Sequence, residues 1–488
     1  MKKNRIISIF LALLLMASVS CGEAAAPTGD TTASAAEETT AAPAGYDYPD
    51  VDYGGYEFRV LNFDDHHGSY MNLDFAEATG ETLDDAVYAR NRKVEEKLNF
   101  KFKEVEQHYA TWNTDHIALI NKLSSSVLAG DDEFDAAYIQ PYFKPAVLTD
   151  GTLMDLNTIP ELHTDEDYWD TIYNDAYTVN GKLFAASGPL HLMSVELCWC
   201  ILFNEDMMAD LKMEAPYQLV RDGKWTIDKM LEYATKAANL NGDESFEFKE
   251  DGNCVYGIAG HSSSVPAFVY AADHRFVTAT DKGFEVSLST DRLHGCVDKL
   301  IKLFDQSAGV ARVNDSDNTP GGYVDLFRTD RALFTTCEIK TTALLRDMES
   351  TYGMLPIPKY EESQKEYTSY GSASVALLTI PVTQKDPSRA GVILDALTWE
   401  SNESVLPLLY DVRIAQKGLR NEESIEMFDI IRTRRGTEYA RNTGITSSFV
   451  SSFSSMVRSG ENTTASLAAS NEAAIKANLD AMLKALNG

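Results

Sequence analysis

Short runs of two-residue hydrophobic alternation are followed repeatedly by runs with three- and four-residue spacing. The stretch from Tyr56 to Phe63 has the first pattern and predicts a strand. After Asp84, the residues Val87, Asn91, Val94 and Leu98 fall on one helical face. Residues 99–105 alternate again, with Phe100 and Phe102 on one side and Lys101 and Lys103 on the other. A second helix is expected over 114–128, then a turn at Gly130-Asp131-Asp132 and a strand over 134–139. This β-α-β-α-β order implies an α/β protein with a mostly parallel sheet covered by helices. Ligands in such sheets sit beyond the carboxyl ends of strands, here 62–65 and 140–142.

Further along, Asn180-Gly181-Lys182 reads as a turn leading to a strand over 195–203. Thr226 is a plausible N-cap for a helix that turns Met230, Leu231 and Ala234 inward. Residues 256–259 and 332–335 read as short strands, and 388–399 as a helix with Val392, Leu394, Asp395 and Leu397 on a partly apolar face. Ile475, Leu479, Met482, Leu483 and Leu486 form one stripe of a final helix. No repeat of solenoid period is present.

The first residues follow a different logic. Lys2, Lys3 and Arg5 precede an uncharged, mostly apolar run from Ile6 to Val19, too short for a membrane-spanning helix of about 20 residues. Residues 1–20 therefore read as a secretory signal. Ala17-Ser18-Val19-Ser20-Cys21 resembles the lipobox of bacterial lipoproteins, with Ser18 where Leu is usual. That resemblance makes Cys21 the lipidated start of the mature chain, held at the extracellular face of the cell membrane. The Ala, Thr and Pro residues that dominate positions 22–45 offer no side chains to build a core, so 21–45 reads as lipidated Cys plus flexible linker.

The 488 residues carry 74 acidic and 43 basic side chains, a formal charge of −31. A field of that sign repels phosphate backbones and argues against nucleic acid as a partner. Cys198, Cys200, Cys254, Cys296 and Cys337 are scattered and odd in number, and read as buried free thiols. His66-His67 lacks a partner spacing for a metal and reads as an exposed loop, so neither metal nor cofactor is expected. The run Arg432-Thr433-Arg434-Arg435 reads as a solvated helix end. Gly-x-Ser-x-Gly, His-Glu-x-x-His, Walker and Gly-x-Gly-x-x-Gly motifs are all missing from the sequence. Their absence leaves a glycosidase, a lyase or a polysaccharide-tethering surface lipoprotein as alternatives to a binding protein.

Several segments, in consistent order over about 50–410, resemble the extracellular solute-binding proteins of bacterial carbohydrate ABC importers, the group containing maltose-binding protein. They are Asn180-Gly181-Lys182-Leu183-Phe184-Ala185-Ala186, Asp222-Gly223-Lys224-Trp225-Thr226, Phe327-Arg328-Thr329-Asp330-Arg331-Ala332-Leu333-Phe334, Tyr352-Gly353-Met354-Leu355-Pro356-Ile357-Pro358-Lys359 and the helix over 388–401. The resemblance implies a two-lobe periplasmic-binding-protein-like fold with discontinuous lobes and interlobe crossing strands. Lobe one would hold 46–187 plus 374–408, and lobe two 188–373 plus 409–488. It further implies a monomer that performs no chemistry, binds a mono- or oligosaccharide and hands it to ABC permease subunits. Small residues at Ser187-Gly188 and Gly371-Ser372 would serve as hinges. Strand ends and the resemblance together nominate Tyr138, Tyr142 and Tyr370 as aromatic ligand contacts. Asp64, Gln140, Glu196 and Glu338 are the polar ones.

Overall fold

In the computed structural model, residues 45–66, 68–249, 251–261, 263–280, 283–311, 322–414, 419 and 422–487 are described. The expected signal, Cys21, the linker to residue 44 and His67 lie outside them. Thirteen strands occur among the described residues: β1 Tyr56–Phe63, β2 Phe100–Gln107, β3 Ala136–Ile139, β4 Trp199–Asn204 and β5 Tyr256–Gly260; then β6 Val277–Thr280, β7 Gly283–Val286, β8 Val310–Ala311 and β9 Ala332–Glu338; and finally β10 Tyr352–Leu355, β11 Ser369–Tyr370, β12 Leu377–Thr379 and β13 Arg435–Gly436.

Two sheets organise the body. The first has the order β12-β3-β1-β2, with β1 parallel to both β2 and β3 as the alternation predicts, and β12 added antiparallel to β3. The second has the order β10-β4-β9-β5-β8. In β2, Phe100 and Phe102 are buried while Lys101 and Lys103 are exposed. In β3 and β4 every residue is buried, as expected for strands covered on both faces. The helices are delimited by the residues that satisfy their ends. Asn99 closes Thr82–Leu98 in the left-handed conformation, with φ 48°. The Thr226 hydroxyl accepts from the Lys229 amide, 3.3 Å away, at the start of Ile227–Ala237. Asp386 does the same for Pro387–Ser404, whose first residue is the proline that a helix start tolerates. None of the described helices is long and apolar enough to cross a membrane.

Two of the described stretches that join the sheets pair with each other. Ala186 pairs with Leu378 and Cys198 with Gly371, so the first and second crossings run antiparallel. β13 lies parallel to β11 beside them, a pairing that the sequence pattern does not reveal. The glycines here serve close packing. A Cβ on Gly371 would run into the Tyr173 hydroxyl, and one on Gly188 would meet the Trp169 ring at 2.8 Å. The expected strand over 195–203 begins only at Trp199, because Met193–Glu196 closes a helical turn with Leu197 N–H on the Met193 carbonyl.

Buried charge ties the crossings together. Arg435 reaches Asp170 at 3.1 Å and Ser194 Oγ at 3.3 Å, with side-chain exposures of 12% for Arg435 and 5% for Asp170. The basic run is therefore solvated only in part: Arg432 and Arg434 pair with Asp429 and Glu366 at the surface, whereas the Arg435 side chain is mostly covered. In the first sheet's covering layer, Asp395 is fully buried and accepts from Tyr46 Oη, Tyr168 Oη, Trp169 Nε1 and the His163 amide, with His163 Nδ1 2.9 Å away. Tyr48 adds a 2.7 Å bond to Glu400 of the same helix. The five cysteines of the body are free and buried, with Cys200 directly opposite Cys337 across β4 and β9.

The final helix, Thr464–Asn487, serves two cores. Ile475 and Leu479 pack with the second sheet's residues, while Met482 and Leu486 pack with the first sheet's.

Candidate functional site

Where the strand ends of the two sheets face each other across the crossings, they enclose a cleft of about 740 Å³. That volume lies within the ~300–1,000 Å³ usual for small-molecule sites. One wall comes from the first sheet. Asp65, His66 and Gly68 follow β1, Tyr142 follows β3, and Trp112 precedes the Thr114–Ala129 helix. The opposite wall comes from the second sheet. Trp199 begins β4, His261 and Ser263 follow β5, Tyr323 opens a short helix, and Glu338 and Lys340 lie at and beyond the end of β9. The floor is the crossing itself: Tyr370, Ser372, Ala373 and Ser374, with Arg441 from the segment after β13.

Aromatic faces dominate both walls. Trp112 stands 41% exposed, an unusual state for an indole, with its ring 5.5 Å from His66 and 4.9 Å from Phe143. Across the cleft, His261 lies 6.0 Å from Trp199 and 5.8 Å from Tyr323. Tyr370 packs 4.9 Å from Tyr270, and its hydroxyl has no hydrogen-bond partner among the described residues. Burial pushes that phenol well above its ordinary value, so it stays a neutral donor. Charges are interleaved with the rings. Lys340 sits 3.8 Å from Glu338, and the Arg441 guanidinium 5.3 Å from the Tyr142 ring centre. Burial acts to raise the Tyr142 phenol. The Arg441 charge and hydrogen bonds with Ser447 and Arg441 outweigh it, and the net shift is downward.

Of the residues nominated from sequence, Tyr142, Glu338 and Tyr370 line this cleft together. Three of the others are buried behind its walls, and Asp64, partly exposed, is not among its lining residues. Tyr138 is buried in the first core, 4.7 Å from the His191 ring. Gln140 is buried with its amide 3.5 Å from His66 Nδ1. Glu196 is fully buried and accepts from the Tyr70 amide at 2.5 Å. Asp64 accepts from the Tyr109 amide and pairs with His108 at 2.7 Å. His66, expected in an exposed loop, is 2% exposed and contributes to the wall. Trp112, Trp199, Tyr323, His261 and Arg441 are the lining residues that sequence reasoning missed. For Trp112 and His66 the strand-end rule, extended by a few residues into the loops, offers a signal. Among the described residues, no group of three or more His, Cys, Asp or Glu side chains is placed to hold a metal.

No family model and no curated protein matches the chain. Solved structures do. An ABC substrate-binding protein of Listeria monocytogenes, in complex with cycloalternan, superposes with a TM-score of 0.52 at 15% identity, over 89% of this chain and 99% of that one. The galacto-N-biose/lacto-N-biose I-binding protein of a Bifidobacterium longum ABC transporter, holding lacto-N-biose, gives 0.58 at 12% identity over 88% and 98%. The cyclic α-maltosyl-1,6-maltose binding protein of Arthrobacter globiformis gives 0.54 at 15% identity over 89% and 100%. At such identities the likeness is one of fold: the chain has the two-lobe α/β fold found in carbohydrate-binding proteins of ABC transporters.

Proposed function

We propose that this chain is a lipid-anchored extracellular receptor that captures a saccharide in the cleft and delivers it to an ABC-type permease, with no chemistry of its own. The lining of the cleft carries the reading: aromatic faces on both walls alternate with hydroxyls and charges within one 740 Å³ space. Such faces cover the apolar side of a pyranose ring. Glu338, Ser372 and Ser374 supply donors and acceptors for sugar hydroxyls. The saccharide-binding proteins of the same fold support the same reading. In this proposal the lobes are 46–187 with 374–408 and 188–373 with 409–488, and a ligand touching both draws them together about the crossings. Tyr142, Glu338 and Tyr370 touch the sugar, while Asp64, Tyr138, Gln140 and Glu196 hold the walls behind them.

A saccharide that binds the folded protein raises its melting temperature by mass action, so a thermal-shift screen of mono- and oligosaccharides identifies the ligand. Calorimetry then expects Tyr142→Ala, Glu338→Gln and Tyr370→Ala each to weaken it about five- to 150-fold, from a loss of about 1–3 kcal/mol. Glu338→Gln keeps the side chain's shape and separates binding from folding. A screen in which no saccharide shifts the melting temperature overturns the receptor reading, and full affinity in all three variants overturns the site.

Anchoring rests on Cys21. Cys21→Ser is expected to release the protein from the membrane, and unchanged detergent-phase partitioning of that variant would sink the anchor.

A further inference from the structure

Beside the cleft lies a second cavity of about 220 Å³, which shares Tyr142, Ser263 and Arg441 with it. Its outer wall is one stripe of the helix Ser447–Ser459. Ser447, Ser451, Ser454, Ser455 and Arg458 fall at three- and four-residue spacing along that stripe, while Phe449, Phe453, Met456 and Val457 are buried on the other side. Arg441 enters from the opposite wall, its Nη1 3.3 Å from Ser447 Oγ. No carboxylate of the described residues forms an ion pair with Arg441, and its Nε has no hydrogen-bond partner among them. Glu438, the acidic residue nearest in the chain, accepts from the Phe276 amide at 3.0 Å and attracts Arg441 only through space, without an ion pair. Neither Asp nor Glu lines the cavity among its described residues. In a protein of formal charge −31, a hollow with two guanidinium groups, five serines and no acidic lining is an electrostatic exception. The Arg441 charge, with hydrogen bonds from Ser447 and Arg441, also lowers the neighbouring Tyr142 phenol.

We infer that this cavity receives an anionic substituent, a carboxylate, sulfate or phosphate ester, carried by the saccharide in the cleft, so that the ligand class is an acidic carbohydrate. The inference rests on the receptor reading above. The chemistry suits an oxyanion. A guanidinium fork donates two parallel hydrogen bonds to such a group. Serine hydroxyls rotate to donate to the remaining oxygens. Ser454, which now donates to the Val450 carbonyl at 2.9 Å, turns outward to do so. A neutral sugar brings no charge to pair with the two guanidinium groups, so the site favours an anionic ligand over it.

The full-length protein is tested on an array of oligosaccharides in matched sets: neutral, uronate-bearing, sulfated and phosphorylated. The best set is followed by calorimetry, with inorganic sulfate and phosphate as anion-only probes. The expected result is an acidic member bound at least about tenfold more tightly than its neutral parent, with its advantage eroding as salt is raised. The uronate, sulfate and phosphate arms identify which anion is meant. Arg458→Gln and the double variant Ser451→Ala/Ser455→Ala alter a partly exposed helix face and are expected to fold. Arg458→Gln should weaken the acidic member about 10- to 100-fold while leaving the neutral parent unchanged. Binding confined to neutral glycans, or equal losses for both members, overturns this inference and spares the receptor. Failure of every glycan to bind overturns both.

Discussion

Replacing Arg435 by alanine is expected to destabilise the protein by about 3–5 kcal/mol, because it strips a buried carboxylate of its only close counter-charge among the described residues. Asp170 is 5% exposed and carries, besides the 3.1 Å contact to Arg435, only a 3.3 Å bond from the Ser187 hydroxyl among side-chain partners. Without the guanidinium that charge sits desolvated at the junction of the crossings. Arg435→Lys should recover only part of the loss, since the fork that reaches Asp170, Ser194 and the Arg432 carbonyl together is gone. A double variant, Asp170→Leu with Arg435→Met, should recover most of it, as apolar replacements of buried pairs commonly do. Urea denaturation of the four proteins reads the result. A loss below about 1 kcal/mol in Arg435→Ala would mean that the pair is effectively solvated.

Asp395 is the second place where one atom group supports much of the structure. Its carboxylate, fully buried, gathers two phenols, an indole, a backbone amide and a histidine ring. Asp395→Ala leaves several buried donors unpaired and opens a void beside Trp169, for an expected loss of about 3–5 kcal/mol. Asp395→Asn should cost less, because one acceptor oxygen remains and the two phenols can reverse their bonds to accept from the amide. Limited proteolysis gives a local readout alongside thermal unfolding. With its bond from Tyr46 to Asp395 gone, the segment carrying Tyr46 and Tyr48 should be cut near those residues well before the rest of the body. Unchanged cleavage and melting in the alanine variant would show that the network is redundant.

Local pattern carried much of the fold into view. The period-two runs became β1 and β2 because their apolar positions face a covered layer, and the Thr226 cap marks its helix for reasons contained in five residues. What stayed hidden depends on partners far away in sequence. Arg435 looks solvated in a basic run until Asp170, 265 residues earlier, is folded against it. Asp395 sits in a helical stripe where nothing nearby announces donors from Tyr46 and Tyr168. In the cleft, strand ends pointed to Tyr142 and Tyr370, and the family resemblance to Glu338, and β3, β11 and β9 end there. Trp199 was missed because an apolar Cys-Trp-Cys run reads as core on both faces, and only the gap between sheets leaves one face to the cleft. Arg441 follows a two-residue strand, too short for any periodic signal.

The last helix has a bearing on how the molecule comes apart. Because Ile475 and Leu479 complete one core while Met482 and Leu486 complete the other, neither half owns a finished interior. Lys182, far back in the chain, holds the helix end by a 2.6 Å bond to the Leu486 carbonyl. Melting either half frays the same helix and uncovers the other, so the halves are thermodynamically linked through a rod built from the final residues of the chain. Folding cooperativity thus reaches across the cleft even though the backbone crosses it in only a few thin strands, and the native state becomes complete only when the C-terminal turns have docked.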